Sequence, residues 1–218
     1  MVKTVIFDVD GTLLDTERIL MRAWAQAGAA FGYNVPQEAL IQTRAVNAAT
    51  ATAIFQKYCG ADFPFYAVRD KRRTISEALI EKTPAKELLM PYAGQTLQWL
   101  ADHGYRLAAA SSTPYQQTCD HLQHAQLLDF FDAIVGGDMV THGKPAPDIF
   151  LKAAGLVGAE PSQCLVVGDT PADVFGATAA GIPVILIPDQ VPANDQTGPL
   201  CKYVLQDLSE LAKIMQTI

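Results

Sequence analysis

Four short groups of polar residues carry the side chains that could do chemistry in this chain. Each group also has a plain structural reading. An aspartate can accept backbone hydrogen bonds in a turn, and Thr113 and Thr170 can each cap a helix that starts at the following proline. A single lysine can be a surface charge. The groups are Asp8-Val9-Asp10-Gly11-Thr12, Ser111-Ser112-Thr113, Lys144, and Gly168-Asp169-Thr170-Pro171-Ala172-Asp173.

Taken together, these residue types suit phosphate and a hard metal ion. Asp8 and Asp169 offer carboxylate oxygens, the ligands that Mg²⁺ prefers. Asp8 and Asp10 are two positions apart, so they share one face if the first strand extends that far. Ser111 and the N–H groups of the following helix start could bind an anion, and Lys144 could neutralise its charge. Because crowded carboxylates repel without a cation, the pattern predicts a metal-dependent phosphate site.

Short apolar runs precede the polar groups, and helical patterns lie between them. Apolar rather than alternating strands indicate a parallel sheet that is covered on both faces. We therefore predict an α/β fold with a doubly wound, parallel-sheet, Rossmann-like core, in which ligands bind beyond the carboxyl ends of the strands. The predicted strands are Val2–Phe7, Leu107–Ala110, Ala133–Val135, Leu165–Val167 and Val184–Ile187, and the predicted helices are Gly94–Asp102, Pro114–Leu127, Pro147–Ala154, Pro171–Ala180 and Asp207–Met215.

Residues 16–83 break this rhythm of strands and helices. The segment is rich in alanine and has helical periodicity but no convincing buried strand, and it is punctuated by Pro36 and Gly60. We predict a helical cap subdomain at 16–83, inserted after the first strand. The core would then consist of residues 1–15 and 84–218.

Composition narrows the classes of partner. The net charge of −7 disfavours nucleic acid, and the basic residues Arg69, Lys71, Arg72 and Arg73 are interrupted by Asp70, which is typical of a solvated helix face. The mean hydropathy is +0.13, and the longest late apolar run is too short to cross a bilayer. The four cysteines are far apart, as expected of free thiols in a reducing compartment. We expect a cytoplasmic monomer.

The four polar groups resemble the motifs of the haloacid dehalogenase superfamily, in its phosphatase branch. The segment Lys144-Pro145-Ala146-Pro147-Asp148-Ile149-Phe150 looks like the form found in the helical-cap, β-phosphoglucomutase-like subgroup. The resemblance covers the whole chain. It implies a Mg²⁺-dependent phosphohydrolase that cleaves a phosphomonoester of a small metabolite, such as a sugar phosphate, through an aspartyl-phosphate intermediate.

The resemblance also implies a role for each residue. Asp8 is the expected nucleophile, and Asp10 is the expected general acid and then general base. Mg²⁺ is expected on the Asp8 carboxylate, the Asp10 backbone carbonyl and Asp169. The phosphoryl group is expected to be bound by Ser111, Ser112 and Lys144, with Asp173 and Thr16 in supporting places. The cap would close over the site and select the leaving group, and its candidate contacts are Arg18, Arg22, Trp24, Arg44 and Asn47.

Other reactions remain open as alternatives. A β-phosphoglucomutase shares the Asp15-Thr16 pair, but this chain has Leu20 where those mutases carry a cap histidine. Its segment 43–48 lacks their glycine and has Ala48 where their arginine falls, so we predict hydrolysis. Haloacid dehalogenation would leave Asp10 without a purpose. Phosphonate cleavage would need an activated lysine such as Lys57 or Lys71, and a non-enzymatic phospho-switch would not need a cap.

Overall fold

The computed structural model describes residues 2–43 and 48–217. Six parallel strands form one sheet: β1 (Thr4–Phe7), β2 (Arg106–Ala110), β3 (Ala133–Val135), β4 (Cys164–Gly168), β5 (Val184–Leu186) and β6 (Tyr203–Val204). Their order across the sheet is β3-β2-β1-β4-β5-β6, so the chain winds outward from β1 in both directions. This confirms the predicted α/β, doubly wound parallel sheet. The prediction missed β6, because a two-residue edge strand leaves almost no apolar pattern.

The central strands are buried on both faces, which explains their continuous apolar character. Ile6, Ala108 and Val166 lie in one core cluster with Ile149 and Phe150. Successive side chains point to opposite faces of a strand. The residues that alternate with these on β1, β2 and β4 are buried as well, so the second face is also covered: Val5, Phe7, Leu107, Ala109, Leu165 and Val167.

Six helices accompany the sheet: α5 (Ala85–Leu88), α6 (Ala93–Asp102), α7 (Tyr115–His124), α8 (Asp148–Leu156), α9 (Pro171–Ala179) and α10 (Leu211–Met215). Two of the five predicted helices differ clearly from the prediction, and the short helix α5 was not predicted. Helix α7 ends before the predicted Leu127 because Gln126 takes a left-handed conformation with φ of 60°. The final helix is shorter than predicted because Leu208–Glu210 form a 3₁₀ turn.

The chain divides into two compact units, one formed by Met1–Asp15 and Ala85–Ile218 and the other by Thr16–Pro84. The second, here called the helical unit, contains α1 (Thr16–Ala30), α2 (Gln37–Gln42), α3 (Ala48–Cys59) and α4 (Phe65–Lys82). It has its own apolar core, in which the Trp24 and Phe55 rings stack with centroids 4.5 Å apart. Between residues 16 and 84, the described part contains helices and no strand. The roles of catalytic core and cap stay predictions.

Within residues 2–43 and 48–217, no helix combines the length and the apolar character that a membrane crossing requires.

Candidate active site

Three aspartates meet at the carboxyl ends of the two central strands. Asp8 directly follows β1 and Asp169 directly follows β4, and these neighbouring strands pair in register through Phe7 and Val167. Asp173 reaches the same place from the first turn of α9. One carboxylate oxygen from each aspartate lies within 4.8 Å of the others, and all three residues are buried. The sheet places them at the point where the strand order reverses, which is where doubly wound sheets bind ligands.

The first strand ends before Asp10, so its two-residue spacing from Asp8 does not by itself place both side chains on one strand face. Strand β1 ends at Phe7, and the chain then turns back on itself, with hydrogen bonds from the Leu13 amide to the Val9 carbonyl and from the Gly11 amide to the Leu14 carbonyl. The carboxylate of Asp10 therefore lies on the β2 side of the site. The condition for a shared strand face, a strand that extends to Asp10, is therefore not met, although Asp10 lies near enough to contribute to the raised pKa of Asp8.

The Gly11-Thr12 pair shapes the turn around Asp169. Gly11 has φ of +89°, and a Cβ at this position would lie 2.4 Å from Asp169 Oδ2. The next residue, Thr12, donates a hydrogen bond of 3.1 Å from its hydroxyl to Asp169 Oδ1. Glycine is therefore required both for the backbone conformation and for the close approach of the carboxylate. The glycine and threonine of the first motif both serve to place an aspartate of the last one.

Lys144 is a buried cation, so the alternative interpretation of this lysine as a surface charge is wrong. Its ammonium group pairs with Asp8 Oδ1 and lies 2.7 Å from Asp173 Oδ1, and it donates a 2.8 Å hydrogen bond to the Ala110 carbonyl. The side chain is only 4% exposed. One ammonium therefore joins the ends of β1, β2 and α9.

Asp173 combines its capping role with the site. Its Oδ2 accepts a 3.0 Å hydrogen bond from the Thr170 amide, while the Thr170 hydroxyl accepts from the Asp173 amide, which completes a capping box. Its other oxygen, Oδ1, faces Lys144. A Cβ on Gly168 would lie 2.6 Å from Asp173 Cβ, so only glycine at the end of β4 allows this packing. The capping interpretation of Asp173 was correct but incomplete.

The charges in this cluster do not cancel. If all three carboxylates are ionised, they carry −3 against the +1 of Lys144, which leaves −2 in a buried place. Burial, together with Asp173 and Asp10, raises the pKa of Asp8 to about 7 even though Lys144 opposes the shift. Burial and the neighbouring Asp8 also raise the pKa of Asp169. Burial opposes the charge of Lys144, but Asp173 and Asp8 outweigh it and raise its pKa. An excess of two negative charges on hard oxygen donors fits a divalent cation.

Two hydroxyls meet on one oxygen of Asp10. Ser111 Oγ donates to Asp10 Oδ2 at 2.9 Å, and Thr113 Oγ1 donates to the same oxygen at 3.0 Å. The alternative in which Thr113 only caps a helix does not hold, since α7 has Pro114 as its N-cap and no side-chain cap bond. The two-residue spacing of Ser111 and Thr113 after a strand was the signal that could have found this pair. Ser112, between them, is exposed.

A family model described as haloacid dehalogenase-like hydrolase matches residues 2–181, which include all of the residues above. The chain belongs to this family. The resemblance seen in the four motifs is thereby confirmed, and so is the prediction of an enzyme of the hydrolase class. The buried aspartates and Lys144 of this hydrolase lie at the motif positions that carried the resemblance.

Two relatives agree with this membership, and a solved structure shares the fold. The fructose-1-phosphate phosphatase YqaB of Escherichia coli is 32% identical over 83% of this chain and 94% of its own. A Drosophila melanogaster protein named "Probable pseudouridine-5'-phosphatase" is 30% identical over 95% of this chain and 89% of its own. A crystal structure of a "predicted phosphoglycolate phosphatase" from Haemophilus somnus has a TM-score of 0.84 at 23% identity, covering 99% of this chain and 98% of its own, which shows the shared fold.

The helical unit of this hydrolase has a pocket of its own, with a volume of about 170 Å³. The Arg72 guanidinium lies 5.5 Å from the centre of the Trp24 ring, and among the described residues nothing accepts a hydrogen bond from its buried Nε. Burial, with Arg73 and Arg69 nearby, lowers the pKa of Arg72. The pocket is lined by Glu17, Leu20, Met21, Trp24, Leu40, Thr43 and Arg72.

One prediction about the helical unit is corrected by this pocket. The solvated-face interpretation is wrong for Arg72, although Arg73 fits it with a side chain that is 61% exposed. Trp24 lines the pocket, and its contact with the substrate stays a prediction. Thr16 is buried as the first residue of α1. Two further candidate contacts, Arg44 and Asn47, lie outside the described residues.

Proposed function

We propose that this hydrolase is a Mg²⁺-dependent phosphatase that cleaves a phosphomonoester of a small metabolite through a phosphorylated Asp8. The observation that carries the proposal is the buried cluster of Asp8, Asp169 and Asp173 around Lys144, with its excess negative charge. The relatives named as phosphatases support the same reaction class. Their names also support a sugar phosphate or a nucleoside phosphate as the class of substrate.

The donor set fits Mg²⁺ in particular because it contains only hard oxygens. Asp8, the Asp10 backbone carbonyl and Asp169 would hold the ion, with Asp173 in support. When bound, Mg²⁺ supplies positive charge that offsets the oxygens of the phosphoryl group and keeps the carboxylates ionised. His and Cys side chains are absent from the described cluster, which favours Mg²⁺ over Zn²⁺.

The chemical steps fall to this chain's own side chains. An oxygen of Asp8 forms a bond to phosphorus while the bond from phosphorus to the leaving oxygen breaks, and Asp10 gives that oxygen a proton. Water then attacks the phosphorus of the aspartyl-phosphate while the bond from phosphorus to the Asp8 oxygen breaks. Asp10 takes a proton from that water, inorganic phosphate is released and the Asp8 carboxylate is regenerated. Lys144 and Ser111, with Ser112, bind the phosphoryl oxygens throughout.

The helical unit is proposed to act as the cap that selects the organic part of the substrate. Its pocket combines an aromatic face, Trp24, with the charged groups of Glu17 and Arg72 and the hydroxyl of Thr43. Such a lining suits a polar organic group, which can use both apolar contact and oriented hydrogen bonds.

The four cysteines are free, in keeping with the proposed cytoplasmic location, and we propose a monomer as the working form.

Hydrolysis is favoured over mutase chemistry by the residues of the helical unit. Leu20, which stands where the resembling mutases carry a histidine, lines the pocket and can neither donate nor accept a proton. A mutase must also hold a second phosphate while the intermediate turns round. An alanine at position 48 gives no charge for that task.

One set of assays tests these assignments. Repeated release of phosphate from p-nitrophenyl phosphate with Mg²⁺ is expected, whereas a phospho-switch would react once and stop. When β-glucose 1-phosphate is supplied with a trace of the 1,6-bisphosphate, inorganic phosphate is the expected product. Accumulation of glucose 6-phosphate with little phosphate release would show a mutase and overturn the assignment of hydrolysis.

A further inference from the structure

We propose that Thr113 is a positioning residue that keeps Asp10 in place for proton transfer when Ser111 turns to the phosphoryl group; this rests on the proposed function. The observation behind it is the pair of hydroxyls on Asp10 Oδ2, from Ser111 at 2.9 Å and from Thr113 at 3.0 Å. Asp10 is drawn to the β2 side of the site by these two contacts. Its position depends on hydroxyls that reach it across about a hundred residues of sequence.

Ser111 cannot serve both of its partners at once. A serine hydroxyl has a single proton to donate, and here Ser111 donates it to Asp10. Binding a phosphoryl oxygen requires the same proton, so the contact with Asp10 is given up when substrate arrives. Thr113 then remains as a hydroxyl donor on Asp10 Oδ2, and its contact keeps the carboxyl group on the β2 side of the site during the reaction.

The backbone of Thr113 is anchored firmly enough for this task. Its carbonyl accepts a 2.9 Å hydrogen bond from the Gly137 amide and a 3.2 Å hydrogen bond from the Thr118 hydroxyl. A Cβ on Gly137 would lie 2.4 Å from the Ser112 carbonyl oxygen, so the two loops approach as closely as glycine allows. Threonine also has a restricted χ1, so its hydroxyl is held in direction as well as in place.

The effect of a misplaced Asp10 on the reaction rate depends on the leaving group of the substrate. Phenolate is a poor leaving group that benefits from a proton as it departs, whereas p-nitrophenolate departs readily as an anion. A misplaced Asp10 therefore slows the cleavage of phenyl phosphate and has little effect on the cleavage of p-nitrophenyl phosphate. The parameter kcat/KM reports this first half-reaction, before the intermediate that both substrates share is hydrolysed.

The experiment compares these two substrates, which have nearly the same size, on matched variants in the full-length enzyme with Mg²⁺. For Thr113→Val, which removes the hydroxyl and keeps the shape, we expect kcat/KM for phenyl phosphate to fall about tenfold or more, with a change of less than about threefold for p-nitrophenyl phosphate. Thr113→Ser keeps a hydroxyl and is expected to restore most of the loss. Thr118→Val loosens the same loop without touching Asp10, so both substrates are expected to change equally.

A second comparison separates this inference from the function on which it rests. Asp10→Ala is expected to show the same dependence on the leaving group, and adding Thr113→Val to it is expected to cause no further loss. If Asp10→Ala affects both substrates equally, the proton-transfer role of Asp10 fails, and this inference fails with it. If Asp10→Ala discriminates between the substrates but Thr113→Val lowers both equally or neither, the positioning role of Thr113 alone is refuted.

Discussion

Replacing Lys144 with methionine removes the positive charge that the buried carboxylates share. Methionine keeps most of the length and volume of lysine, so the change acts mainly on charge. Lys144 meets both Asp8 and Asp173, and its side chain is 4% exposed. Removing one partner of a buried ion pair costs about 3–5 kcal/mol, because the remaining charge has neither water nor a counterion. We expect the free energy of unfolding to fall by this amount at pH 8 in excess chelator, and we expect turnover in the presence of Mg²⁺ to be lost.

The loss of unfolding free energy in Lys144→Met should increase as the pH rises. The pKa of Asp8 in the folded protein is raised from 3.8 to about 7, so its contribution to stability is complete below pH 3.8 and is lost as the pH rises through about 7. Lys144 opposes this shift, so its removal raises the pKa of Asp8 further. At pH 5 the folded variant carries a neutral Asp8, which needs no counterion. Asp173 loses its cation at either pH, so part of the loss remains at pH 5, and the part that comes from Asp8 adds to it towards pH 8.

Urea unfolding at pH 5 and pH 8, in EDTA, measures both parts of this prediction. Lys152→Met is the matched control, since the exposed Lys152 donates only to the Met139 carbonyl in the contacts described, and a change within about 0.5 kcal/mol is expected. A loss below about 1 kcal/mol for Lys144→Met at pH 8 would refute the charge argument. An equal loss at the two pH values would show that packing, and not the excess negative charge, explains the effect.

The other predictions concern the nucleophile, the metal and the pocket. Asp8→Asn should abolish turnover, with a loss far beyond the roughly 10²–10⁴-fold of a lost acid–base group, and activity within about tenfold of wild type would contradict the nucleophile assignment. The same change should raise Tm at pH 8 without metal, since an amide has no charge to bury. Activity should be lost in EDTA and restored by Mg²⁺ but poorly by Ca²⁺, and stronger activation by Zn²⁺ would contradict the hard-oxygen site. Arg72→Met should raise KM for a sugar phosphate about tenfold with little change in kcat, whereas the exposed Arg73→Met should not; equal effects would remove the pocket from substrate selection.

Much of the fold could be predicted because its determinants are local. Continuous apolar runs such as Leu165–Val167 are typical of strands covered on both faces, and five of the six strands were found in this way. A parallel sheet then brings the ends of β1 and β4 to one edge. The convergence of Asp8 and Asp169 therefore followed from the sequence. The edge strand Tyr203–Val204 did not, because its two residues pair only in the finished sheet.

The side-chain contacts of the site depend on how closely residues far apart in sequence approach each other, which no local sequence pattern specifies. The sequence by itself determined which residue types gather at the edge of the sheet: carboxylates, hydroxyls and one lysine. Only the tertiary structure decided that Asp10 turns to Thr113, which lies 103 positions away, and that Arg72 is half-buried while Arg73 is exposed. A helix or a strand is specified by its own residues, whereas a hydrogen bond between loops depends on how closely those loops approach. Here that approach is set by packing across the whole sheet.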